Sequence, residues 1–241
     1  MNTSTPAERK RRWLLPLTLM GVALTAGLST WQLDRAGQKR ALEAAISQRA
    51  QAPALDAAGL TAAGAEGLHR RVRLQGQWLA QHSIWLENRP MDGRVGFFLV
   101  TPLRLSGRPE AVLVQRGWIP RDVADRSRLP ELPEETAEVV VEGRMAASPS
   151  RLYQLGEAGA GRIRQNLDPA AFARETGLPL LPLTVLQAAH EGATPGLLRD
   201  WPAPAVDIHK HYGYAAQWAA LSVLQLGLYV WFQVLRPRRS R

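Results

Sequence analysis

The side chains able to do chemistry are few. The chain has five histidines and no cysteine, which excludes disulfides and thiolate metal sites. His69, His82 and His190 stand singly near the ends of short alternating stretches. An imidazole there is ordinarily a surface or hydrogen-bonded polar residue. His209 and His211 are placed differently. They head the stretch HKHYGYAAQW (209–218), where a basic, proline-rich segment becomes a long uncharged run, Tyr212 to Leu235. An imidazole at such a mouth has two readings. It can sit in headgroup water as an interfacial residue. It can also ligate the iron of a haem, a flat apolar ring that Tyr212, Tyr214 and Trp218 would flank. The residues alone leave both open, the interfacial reading being the plainer.

Arg89 and Arg94, in ENRPMDGRVGFFLVTP, and Arg116, in VLVQRGWIPRD, are of a type that receives a propionate or a phosphate. The same stretches read equally well as a Pro/Gly turn and a strand ending on glycine. No G-x-S-x-G elbow, H-E-x-x-H pair or G-x-x-x-x-G-K-[ST] loop occurs, so the expectation is a protein that is not an enzyme.

The elements that must position these residues begin with two apolar runs. Trp13 to Leu33 is uncharged and bounded by Arg12 and Asp34. At 1.5 Å per residue it covers a hydrocarbon core of about 30 Å, with Trp13 and Trp31 near its ends. Its length and the lack of an A-x-A site favour a retained span over a cleaved signal. Pro16 is expected in the helix's first turn. The run up to Leu235 is the second span. Of the net charge of +9, +3 lies in residues 1–12 and +4 in residues 236–241, leaving +2 for everything between. Basic tails abutting apolar runs follow the positive-inside rule. A nucleic-acid-binding domain would carry its charge on the folded body, so no nucleic-acid partner is expected and membrane lipid is.

The expected layout is a basic cytoplasmic tail (1–12), a transmembrane helix (13–33), a periplasmic, mainly β domain (34–210), a second transmembrane helix (211–235) and a second cytoplasmic tail (236–241) in a bacterial inner membrane. Gly21, Thr25 and Ser29 recur every four residues. Such a stripe packs closely against the other span or against a partner's helix. Between the spans, residues 38–50 read as a polar helical continuation and 52–67 as a loop. Strands are predicted at 70–79, 82–89, 95–105, 110–118, 137–145, 162–166 and from 181. A Pro/Glu loop, LPELPEE, precedes the fifth. A short helix is capped by Asp168, with Pro169 at its first position and Gly177 at its end. The fold class is therefore an α+β membrane protein, two transmembrane helices flanking a mainly antiparallel, small barrel-like domain.

In this order, several segments resemble the surfeit locus protein 1 family of cytochrome c oxidase assembly factors, bacterial type. WQLDRAGQK (31–39) is similar to the family's W-Q-x-x-R-x-x-x-K, and ENRPMDGRVGFFLVTP to its N-R-x-x-x-G-x-x-G-x-x-x-x-T-P block. VLVQRGWIP resembles V-L-V-x-R-G-W-x-P. RDWP (199–202) and KHYGYAAQW (210–218) resemble the closing R-x-W-P and H-x-G-Y-A-x-x-W elements. Ala219, Gln38 and Ser29 depart from the aromatic, tryptophan and glycine usual at those places. The resemblance implies a non-enzymatic helper in the maturation of oxidase subunit I, with haem a transiently bound and haem a synthase a possible further partner. It puts His211 in the place of the proposed iron ligand, Tyr214 and Trp218 beside it, and gives His209 no counterpart. A haem-free chaperone that scaffolds subunit I is the alternative.

Overall fold

The computed structural model describes residues 6–122, 124, 129, 137–149, 151–153, 161–190, 193–201 and 208–236, with backbone alone for 6–12 and 234. The expected loop LPELPEE falls almost wholly outside these residues, as do the ends of both basic tails. The chain forms two compact units, residues 46–203 and residues 1–45 with 204–241.

Residues 46–203 build a mixed sheet. Its strands are β1 (Arg71–Trp78), β2 (Ile84–Met91), β3 (Arg94–Leu105), β4 (Ala111–Pro120), β5 (Val139–Ala146), β6 (Ile163–Arg164) and β7 (Leu180–Gln187). The order β1-β5-β7-β4-β3 closes on itself because β1 also pairs with β3, giving a small five-stranded barrel; β2 and β6 extend it outward from β3. Most pairings are antiparallel, but β4–β7 and β2–β6 are parallel. Gly76 is the closure point, pairing with Val139 on one side and Leu105 on the other. A Cβ there would run into the Arg104 carbonyl, so two neighbouring strands can approach only a glycine this closely.

The alternation read from β1 holds: Val72, Leu74 and Trp78 point inward and Arg71, Arg73, Gln75 and Gln77 outward. They join Leu103, Leu105, Val112, Val114, Val141, Met145 and Val185 in one core that fills the barrel. The run Gly96–Leu103 of β3 is buried on both faces. Its inner end serves the barrel, while Phe98 and Val100 pack in a second cluster and Phe97 and Leu99 in a third. A strand covered on both sides reads as a continuous apolar run.

Residues 52–67, expected as a loop, are instead the helix α2 (Ala57–Ala63) followed by a 3-10 turn, Gly64–Gly67. Asp56 caps α2 by accepting from Gly59 N at 2.7 Å. The fully buried Leu60 joins the barrel core. One buried leucine in an Ala/Gly-rich stretch is too little periodicity to read. The helix α3 (Pro169–Thr176) follows the sequence closely: Asp168 accepts from Ala170 N and Ala171 N, and Gly177 ends it in the left-handed conformation.

The other unit rests on α1 (Pro6–Gln51) and α4 (Ile208–Val230), the latter closing on a π-helical turn, Trp231–Leu235. Both are long and apolar enough to cross a membrane, and the fold class is that of an α+β membrane protein. α1 starts earlier than the apolar run, so Pro16 lies inside the helix and not in its first turn. It runs on through the polar residues past Leu33, as the sequence led one to expect for 38–50.

Candidate functional site

Within the helical unit, α1 and α4 form an antiparallel pair, which settles that the small-residue stripe faces the chain's own second helix. Residues spaced by three or four fall on one helix face. Gly21, Thr25, Ser29 and Gln32 make that face on α1, and Gln225, Ser222, Ala215 and His211 meet it in reverse order. A Cβ on Gly21 would strike the Gln225 carboxamide. Thr25 Oγ1 and Ser222 Oγ share a 2.6 Å hydrogen bond. Ser29 Oγ donates to Ala215 O at 2.9 Å, a bond that glycine, the residue usual at this place in the family motif, cannot make. Gln32 Oε1 lies 2.7 Å from His211 Nδ1. The Arg40 guanidinium lies 5.4 Å from the centroid of the Tyr212 ring. Each inter-helix bond of this kind contributes about 0.6 kcal/mol in a bilayer.

His211 is the rung with chemical capacity left over. A carboxamide oxygen only accepts, so Nδ1 carries the proton and Nε2 keeps its lone pair. No described residue holds Nε2. The imidazole is half-buried in the first turn of α4. Trp218, seven residues on, shares its face, as two turns of helix require. Tyr214 stands at the edge of that face, 51% exposed. His209 is about 200° around the helix from His211 and exposed. The structure therefore places the two histidines on different faces of α4, with Trp218 two turns further along the face of His211 and Tyr214 at its edge.

Among the described residues no group of three or more His, Cys, Asp or Glu side chains could hold a bare metal ion. A haem needs less, because its macrocycle supplies four donors and the protein one axial nitrogen. A single imidazole oriented through its other nitrogen is the donor such a group requires, so the residues present fit it.

The arginines of the two motif blocks turn out differently. In β2 the pairing with β3 shifts between Leu86 and Arg89, where Asn88 takes φ 58°. In β4 it shifts so that Leu99 faces Gly117 and Val100 faces Gln115, leaving Arg116 as the extra residue. Both are β-bulges, which re-aim a side chain. Arg89 and Arg116 are each 1% exposed. Arg89 donates to Gln165 O at 2.6 Å. Arg116 stacks on Trp78 at 4.3 Å and donates to Thr194 Oγ1. Trp118 Nε1 donates to Arg89 O at 2.8 Å, tying the two blocks together, and its ring covers Gly96, where a Cβ would clash with it. Arg94 lies over the outside of that ring at 5.4 Å. Gly117 leaves room for Leu197. Trp118 exchanges backbone hydrogen bonds of 2.7 and 2.8 Å with Leu198. Trp201 Nε1 donates to Gln187 O at 2.7 Å. Arg116, with Trp118 and Trp201, holds the segment 193–201 against the sheet, and Arg89 ties β2 to Gln165; these two arginines are buried, whereas Arg94 is exposed.

A family model described as the SURF1 family matches residues 19–223, which takes in the barrel and most of both helices. The chain belongs to the SURF1 family. It is 25% identical to a SURF1-like protein of Monosiga brevicollis over 99% of this chain and 95% of that protein. It is 26% identical to one of Drosophila melanogaster over 98% and 84%. A bacterial relative, from Rickettsia conorii, is 21% identical over 89% of this chain and 88% of its own length. The family is one of oxidase assembly factors and not, by name, of enzymes.

Sequence reasoning missed Gln32 as the partner of His211. The signal was present, since Gln32 is the glutamine of the W-Q element and the one polar amide inside the first apolar run. The bulge at Arg116 left no trace in the alternation, because β4 is buried on both faces from Ala111 to Trp118.

Proposed function

We propose that this protein is an assembly factor for cytochrome c oxidase that binds haem a at the mouth of the second helix and aids the maturation of subunit I. The observation that carries the reading is the Gln32–His211 bond, which leaves Nε2 of a half-buried imidazole as a ready ligand. His211 would supply a nitrogen to the iron in this reading, and Trp218 and Tyr214 would bound the ring. Gln32 fixes the tautomer and the plane of the imidazole. The iron, when bound, supplies the redox and ligand chemistry that the oxidase later uses. Membership of the family supports the oxidase as the system served, with haem a synthase as the donor in this reading. The apolar spans and basic tails support a bacterial inner membrane, with both termini cytoplasmic and the barrel periplasmic.

A second reading follows from the same bond. His211 completes a row of inter-helix contacts, and the imidazole is then a strut in a haem-free scaffold for subunit I. Co-expression with haem a synthesis separates the two. Under the first reading the purified protein shows a Soret band that His211→Ala abolishes. Protein that lacks the band yet still co-purifies with subunit I favours the scaffold.

A further inference from the structure

On the outer side of the barrel, β1, β5 and β7 carry a cleft of about 460 Å3. Its wall includes Arg71, Arg73, Arg144 and Arg199, with Leu186 and Trp201 as an apolar side; Glu142 is the one carboxylate among its lining residues. Arg71, Arg73 and Arg144 come from the outward positions of strands whose inward positions fill the core, so their convergence follows from the register. Arg71 pairs directly with Arg144, and Arg73 with Glu142, across β1 and β5.

Glu142 answers only part of this charge. It lies 3.6 Å from Arg73, both side chains being largely exposed, a pair of small worth in water. Arg199 spends its guanidinium on the carbonyls of Leu197 and Thr194, at 2.9 and 3.0 Å. It lends the cleft its field and not its fork. Arg144 is half-buried, and its described polar contact is the Nδ1 of His69 at 3.4 Å, which is a neutral partner. His69 itself is held in the left-handed region, φ 71°. Burial, then Arg144, then Arg49 push its imidazole below the ordinary value. A guanidinium brought halfway out of water beside a neutral ring is the arrangement that an incoming oxyanion would stabilise.

We propose that this cleft binds a phosphate group, carried by a small ester or by a lipid headgroup, with Arg71, Arg73 and Arg144 as the cationic wall and Leu186 and Trp201 taking the apolar part. Planar guanidinium forks match the oxygens of phosphate. The cleft stands apart from His211 in chemistry and does not depend on haem. Another surface cleft of the barrel, near Ser106 and Glu138, holds Arg104 and Arg108 against one carboxylate. Its Arg108 is engaged with Thr61, so it serves as the comparison site.

The test uses the full chain, in detergent and in nanodiscs. Binding of inorganic phosphate and of glycerol 3-phosphate is measured by calorimetry. Retention on phosphatidylcholine vesicles with and without phosphatidylglycerol is measured in parallel. The expected result is saturable binding that Arg73→Gln and Arg144→Gln each weaken roughly tenfold, the worth of one charge-assisted bond, while Arg104→Gln leaves it unchanged. Binding of the soluble phosphates identifies a free ester; retention by phosphatidylglycerol alone identifies a headgroup. Equal binding in wild type and Arg73→Gln, or no response to either kind of phosphate, overturns the proposal. Because Arg73 is exposed, its variant remains informative if Arg144→Gln does not fold.

Discussion

The barrel and the helical pair use buried polar residues in opposite ways. In the barrel, Arg89 and Arg116 are buried at bulges and engaged by stacking and hydrogen bonds. Their chemistry is consumed in fixing strands and the 193–201 segment. In the helical pair, the polar groups stand in single file with one bond at each level, and the last of them keeps a free nitrogen. A strongly charged residue in a motif is thus engaged in structure here, and the proposed site is instead the imidazole at the end of a weakly polar row.

The largest expected effect breaks the barrel side. Trp118→Ala removes a fully buried indole and its bond to the Arg89 carbonyl, and a loss of about 3–5 kcal/mol is expected. Denaturant unfolding of the barrel, followed by circular dichroism, checks it; a loss near zero would mean the two motif blocks are not structurally joined. Gly117→Ala places a methyl 2.6 Å from Leu197 Cβ, and overpacking of about 1–3 kcal/mol follows. Hydrogen exchange at residues 193–201 should rise, and unchanged protection there would contradict the strap.

On the helical side the effects are smaller. Thr25→Val removes the bond to Ser222 and should cost about 0.6 kcal/mol. Energy transfer between labels at the outer ends of the two helices reads this as a modest shift in the denaturant midpoint. A loss as large as that of Trp118→Ala would erase the contrast between the regions.

The smallest effect concerns pH. His69 titrates below its ordinary value in the fold because of burial, reinforced by Arg144 and Arg49. The unfolded chain therefore binds the proton first. The contribution is whole above the ordinary imidazole pKa of about 6.5 and is lost as pH falls from there toward the folded value. His69→Gln should flatten that part of the Tm-against-pH curve, and an unaltered slope would remove His69 from the account.

Much of the barrel was legible. Strands of alternating pattern such as β1 and β5 announce themselves, as does the Asp168–Pro169–Gly177 frame of α3. α2 was missed because its stability comes from one leucine docking in a distant core and not from its own periodicity. Closure of the sheet depends on Gly76 pairing on two sides, a property of three dimensions that a glycine in a strand pattern only hints at. Of the proposed site, the head of the apolar run drew attention to His209 and His211 alike, and only the resemblance to the family motif singled out His211. Gln32 was not singled out, because an amide inside a span reads as a mild flaw until its partner, 179 residues away, is brought beside it.

The central claim is that His211, and not its neighbour His209, is poised as a ligand through Gln32. Its most direct test is the Soret absorbance per protein of His209→Ala and His211→Ala, each purified from cells making haem a. The account predicts wild-type absorbance for His209→Ala and loss of the band for His211→Ala. Equal absorbance in the two variants would contradict it.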